Sequence, residues 1–98
     1  MAEINWTEEA QTWLQDIHQY IAIDNREAAN RTVLGIFRKA QLLKTHPGIG
    51  HKYESSGERE IRILYYGHYR IAYLVKPDNN IDILGVFHGA LNIERYLL

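Results

Sequence analysis

The chain has 98 residues, 46% of them hydrophobic and 23% charged, with a net charge of −1, which is the profile of one small globular domain (residues 1–98) with a single core. It contains no cysteine, so disulfides, thiolate nucleophiles and cysteine-ligated metals are excluded, and a reducing, cytoplasmic location is the expectation. The opening "MAEINWTEEA" has neither the basic start nor the apolar run of a secretory signal. Nor does any apolar run approach the ~20 residues of a membrane span, and the near-neutral total predicts no general attraction to nucleic acid or membrane.

"AEINW" alternates as a short first strand, with Ile4 and Trp6 on one face. Thr7 is placed to cap a helix whose first turn holds Glu8 and Glu9, where the helix dipole favours acids. Ala10, Trp13, Leu14, Ile17, Tyr20 and Ile21 then recur every three or four residues and draw one apolar stripe. Asp24 and Asn25 interrupt that helix and start a second, with a stripe of Ala29, Val33, Ile36, Phe37, Ala40 and Leu43. "HPGIG" stops it. Gly35 lies mid-helix at a cost of about 1 kcal/mol relative to alanine, which close approach of the first helix would offset.

After Gly50 the period changes to two. Ile61, Ile63 and Tyr65 alternate with Arg62, Leu64 and Tyr66, and Gly67-His68 is a two-residue turn with glycine first, as a type II′ hairpin requires. Tyr69 to Val75 forms the return strand. "PDNN" turns the chain into Ile81–His88, and "LNIERYLL" ends it. The order β-α-α-β-β-β predicts an α+β fold, an αα-hairpin packed on one face of a small antiparallel sheet.

Charge is segregated along this order. Residues 1–24 hold Glu3, Glu8, Glu9, Asp16 and Asp24 and no lysine or arginine. Residues 26–52 hold Arg26, Arg31, Arg38, Lys39, Lys44 and Lys52 against Glu27 alone. Two antiparallel helices with complementary faces are the first reading, and a basic surface for a partner is the second.

Parity sets a further expectation. With Ile61/Ile63, Ile71/Tyr73 and Ile81/Ile83 turned to the helices and no bulge intervening, Arg62, Arg70 and His88 share the opposite face with Leu64, Leu74, Leu84 and Val86. An apolar face of that kind, left uncovered by the helices, is a binding surface. Arg70 stands there in an otherwise apolar strand, where it must reach water, a carboxylate such as Asp82 or Glu60, or a partner. His46 and His51 flank "PGIG" with no third ligand at metal-binding spacing, so neither metal nor cofactor is expected.

"A..WL.DI..YI" in the first helix, "AANR" opening the second, "L..HPGIG" at its end, "REIRIL....YRIAYLV" through the hairpin and "IDILGVFHGA" in the last strand stand in one order over nearly the whole chain. In that order the sequence resembles the RelE/ParE superfamily, the toxins of bacterial type II toxin–antitoxin modules. The resemblance implies a small cytoplasmic, growth-inhibiting and plasmid-stabilising toxin. It also implies a hetero-oligomer with a cognate antitoxin, whose C-terminal segment wraps the toxin and blocks it.

RelE-like members cut mRNA on the ribosome without a metal, whereas ParE-like members poison DNA gyrase. "HGA" after the last strand and the junction "YIA.DN..AA.R" look more like ParE, so a gyrase poison with no catalytic residues is the favoured expectation. Under it, Arg62, Leu64, Arg70, Leu74, Leu84, Val86 and His88 contact antitoxin or target. A metal-independent ribonuclease is the alternative, with Arg62 and Arg70 as phosphate clamps, His88 as acid or base and Tyr96 reaching in from the tail. Arg62 falls where a RelE-like enzyme has a strand lysine, and Glu60 where it has another basic residue. Both branches often carry an arginine just past the last strand; Leu91 stands there here, which also admits an inactive member retained for antitoxin binding.

Overall fold

The computed structural model describes residues 2–53 and 59–89. Strand β1 (Ile4–Trp6) leads directly into helix α1 (Glu8–Ala22), and α2 (Arg26–Gln41) follows after a short turn. Thr7 caps α1 as its sequence predicts: its hydroxyl accepts from Ala10 N at 3.1 Å while donating to Ile83 O at 2.7 Å, which pins the helix start to the last strand. Asn25 Oδ1 caps α2 by accepting from Ala28 N at 3.0 Å. That helix runs into a 3-10 turn at Leu42–Lys44 before Pro47 ends it.

Four further strands complete the sheet: β2 (His51–Lys52), β3 (Glu60–Tyr66), β4 (Tyr69–Val75) and β5 (Ile81–His88). The order is β1-β5-β4-β3-β2. β1 lies parallel to β5, with Ile4 opposite Ile81 and Trp6 opposite Ile83, and the other pairs are antiparallel. The sheet is therefore mixed rather than wholly antiparallel, and β2 is a short strand the alternation did not announce. Two residues are too few to show a period.

Between β3 and β4, Gly67 has φ +57° and His68 does not share the positive φ, as a type II′ turn requires. That two-residue turn makes Tyr66 and Tyr69 the closing pair and sets Leu64 opposite Ile71, Arg62 opposite Tyr73 and Tyr65 opposite Arg70. Directly opposed residues share a face. On the helix side Leu64, Ile71, Tyr73, Ile81, Ile83 and Val86 meet Ala10, Ile36, Ala40 and Leu43 in the main core. Two residues of the predicted stripes lie largely outside it: Tyr20 is 73% exposed, and Phe37 is 43% exposed while one ring face stacks on Trp6.

Gly35 does allow a close approach, but by the sheet rather than by α1. A methyl group there would overlap the Tyr66 phenol. The two helices meet instead through contacts that include a 2.7 Å hydrogen bond between His18 Nε2 and Asn30 Oδ1. Complementary charge does not join them: the ion pairs among the described residues are Arg62–Glu60 and Lys76–Asp82.

Candidate functional site

The register divides the residues expected to share one open face. Arg62 lies opposite Tyr73 and Leu64 opposite Ile71, so both are on the helix side. β5 carries a bulge: Ala72 pairs with Gly85 but Tyr73 with Ile83, which leaves Leu84 as the extra residue. Beyond it the parity reverses. Val86 and His88 thereby join the helix side opposite Ile71 and Tyr69, while Phe87 is opposite Arg70 on the other face. Of the three polar candidates, only Arg70 lies on the side away from the helices.

The apolar candidates are likewise not an exposed patch. Leu64 and Val86 are buried in the main core. Leu74 and Leu84 are half-buried against a second small core of Ile61, Ile63, Ala72 and Phe87, each at most 2% exposed. Both sheet faces are apolar, so alternation alone did not say which one the helices cover.

Arg62 is held by the loop that ends α2. Its Nη1 donates to Gly50 O at 2.7 Å and Gly48 O at 3.3 Å, and its Nε donates to Glu60 Oε2 at 2.7 Å. Tyr73, fully buried, clamps the same loop by donating to Pro47 O at 2.8 Å and accepting from Gly50 N at 2.9 Å. Burial pushes the Tyr73 pKa up, while the Gly50 N–H and the Arg62 charge pull against it. Tyr73 was legible only as core, although a buried phenol must find a partner for its hydroxyl.

Arg70 is half-buried and donates from Nη2 to Gly89 O at 3.2 Å. The acids proposed for it are engaged elsewhere, Asp82 by Lys76 at 3.5 Å and Glu60 by Arg62. His88 sits edge-on to Tyr69, beside His68, at the rim of a groove of about 420 Å³ between α1 and the strand ends. Trp13, Ile17, Tyr69 and Val86 line its apolar wall. Tyr96 and Leu91 lie outside the described residues. His46 bonds to the Thr45 hydroxyl and His51 stacks on Tyr65; among the described residues no group of three metal-ligating side chains comes together.

A helical hairpin on one face of a five-stranded mixed sheet is the fold of RelE/ParE toxins, and solved structures of that kind superpose on it. A chain of a chromosomal ParDE toxin–antitoxin system from P. aeruginosa matches with TM-score 0.73 and 23% identity, over 90% of this chain and 96% of that one. A chain of the archaeal RelE-RelB complex from Pyrococcus horikoshii OT3 matches with TM-score 0.64 and 18% identity, over 91% and 96%. The family model for the ParE toxin of the type II toxin–antitoxin system parDE matches residues 4–92. The chain belongs to that family. No curated protein matches it.

Proposed function

We propose that this ParE-family toxin is neutralised in the cytoplasm by a cognate antitoxin, stabilises the replicon that encodes it, and inhibits growth by poisoning DNA gyrase rather than by cutting mRNA. The observation that carries the choice of target is the dispersal of Arg62, Arg70 and His88. Metal-independent RNA cleavage needs phosphate clamps, a base and an acid converging on one phosphate. Here the two arginines lie on opposite sheet faces, three residue steps or about 10 Å apart along the strands. Arg62 is also committed to backbone carbonyls of its own loop. A protein–DNA target asks for none of that convergence. The antitoxin reading draws on the ParDE and RelE-RelB assemblies, in which similar folds stand beside an antitoxin.

Induction of the chain in a bacterial host, with RNA-end sequencing and a supercoiling assay on the extracted gyrase, tests the proposal. The expected result is intact transcripts, a DNA-damage response and impaired supercoiling. Transcripts cut within minutes, with supercoiling unchanged, would establish the ribonuclease instead, and silence in both assays would mark an inactive member.

A further inference from the structure

The groove of about 420 Å³ beside α1 falls within the roughly 300–1,000 Å³ of small-molecule sites. Trp13, Tyr20 and Tyr69 line it with aromatic rings beside the aliphatic Ile17 and Val86. Spacings of three, four and seven residues put Trp13, Asp16, Ile17 and Tyr20 on one flank of the helix. At 100° per residue, Asp16 and Tyr20 lie about 160° round α1 from His18. His18 bonds to Asn30, so the groove is on the flank turned away from α2. Tyr20 is 73% exposed there, a large ring left in water at the edge of a concave surface.

Charge selects the occupant. Among the described residues, Asp16 lines the groove and no lysine or arginine does. The Asp16 carboxylate is exposed and, among the described residues, takes part in no hydrogen bond or ion pair. Glu9, seven residues earlier, shares its flank, and α1 carries no lysine or arginine to offset either acid. An anion would meet Asp16 with no countercharge beside it. A bare divalent cation would find one carboxylate where it needs about six oxygens. A neutral molecule would use the rings and gain nothing from the charge. An organic cation uses both, because an ammonium is attracted to a carboxylate and to the face of an aromatic ring. We propose that this groove binds a small organic cation, a substituted ammonium with an apolar body, its charge beside Asp16 and its apolar groups against Trp13, Tyr20 and Tyr69. The site goes beyond the toxin reading and stands whether or not gyrase is the target.

The probe is benzyltrimethylammonium, titrated into the full chain and followed by backbone amide shifts, with benzyl alcohol and benzoate as its neutral and anionic counterparts. The expected result is saturable shifts at Trp13, Asp16, Tyr20 and Val86, with both counterparts binding more weakly than the cation. Asp16→Asn and Tyr20→Leu should each weaken the cation about two- to fivefold, the size of such an interaction at an exposed site. Their melting temperatures should match wild type, because both side chains are exposed. Tyr20→Phe should keep wild-type affinity, since the ring face and not the hydroxyl meets the ammonium. Glu27→Gln on α2 removes a charge elsewhere and should change nothing. Should Tyr20→Leu lower the melting temperature, Asp16→Asn keeps the test open, because it alters an exposed carboxylate by one atom. Benzyl alcohol or benzoate binding as tightly as the cation would overturn the inference. So would wild-type affinity in both folded variants, shifts confined to another surface, or no saturation at all.

Discussion

Tyr73 shows how one side chain joins core to loop. Its ring fills the space between sheet and helices, and its hydroxyl bridges Pro47 O and Gly50 N. Tyr73→Phe keeps the ring and strands the Gly50 amide, so stability at neutral pH should fall by about 1–3 kcal/mol, read from denaturant midpoints. The same residue predicts an alkaline limb. Its pKa is raised in the folded state by burial, so above the ordinary tyrosine range, near pH 10, the unfolded chain releases this proton first. The stabilisation is therefore complete below that range and is lost as pH rises through the folded pKa. The stability gap between wild type and Tyr73→Phe should narrow over that window and hold constant below it. Arg62 belongs to the same latch. Arg62→Ala should lower stability by about 1–2 kcal/mol through its lost charge-assisted bonds to Gly48 O and Gly50 O.

At the scale of elements, the loop after α2 and the hairpin register carry most of what was and was not legible. Both helix caps, the II′ turn and the change of period at Gly50 could be read directly, because each is a local property of a few residues. Face assignment could not be read from hydrophobicity, since Ile61 and Ile63 bury on one side and Leu64 and Ile71 on the other. The turn nevertheless contained the answer. With Gly67-His68 at its tip, Tyr66 must face Tyr69, and counting back puts Arg62 with Tyr73 and on the opposite face from Arg70. The bulge had a signal too, because Gly85 interrupts a largely apolar strand right beside the extra residue, Leu84. What no local rule supplies is the parallel pairing of β1 with β5, which joins residues almost eighty positions apart. The loop itself gives a sharp prediction. Gly50 is buried, with Ile63 O and the Tyr73 hydroxyl each 2.7 Å from where a methyl group would stand. Gly50→Ala should destabilise the protein by about 1–3 kcal/mol, and combining it with Tyr73→Phe should cost less than the sum, since both break one latch.

For the molecule as a whole, the placement of the basic side chains is what favours the proposed gyrase reading over the ribonuclease one. A ribonuclease would need its basic side chains on one surface. This chain divides them, giving Arg62 to a structural loop, Arg70 to the far face of the sheet, and Arg31 and Arg38 to the outside of α2. If none of Arg62, Arg70 and His88 performs chemistry, toxicity should track folding alone. The direct measurement pairs thermal stability with growth inhibition for Arg62→Ala, Arg70→Ala and His88→Ala at matched expression. The account predicts that each variant kills in proportion to the fraction that remains folded, with Arg62→Ala the least stable of the three. A fully folded Arg70→Ala or His88→Ala protein that no longer inhibits growth, with the wild type leaving cleaved transcripts, would contradict it.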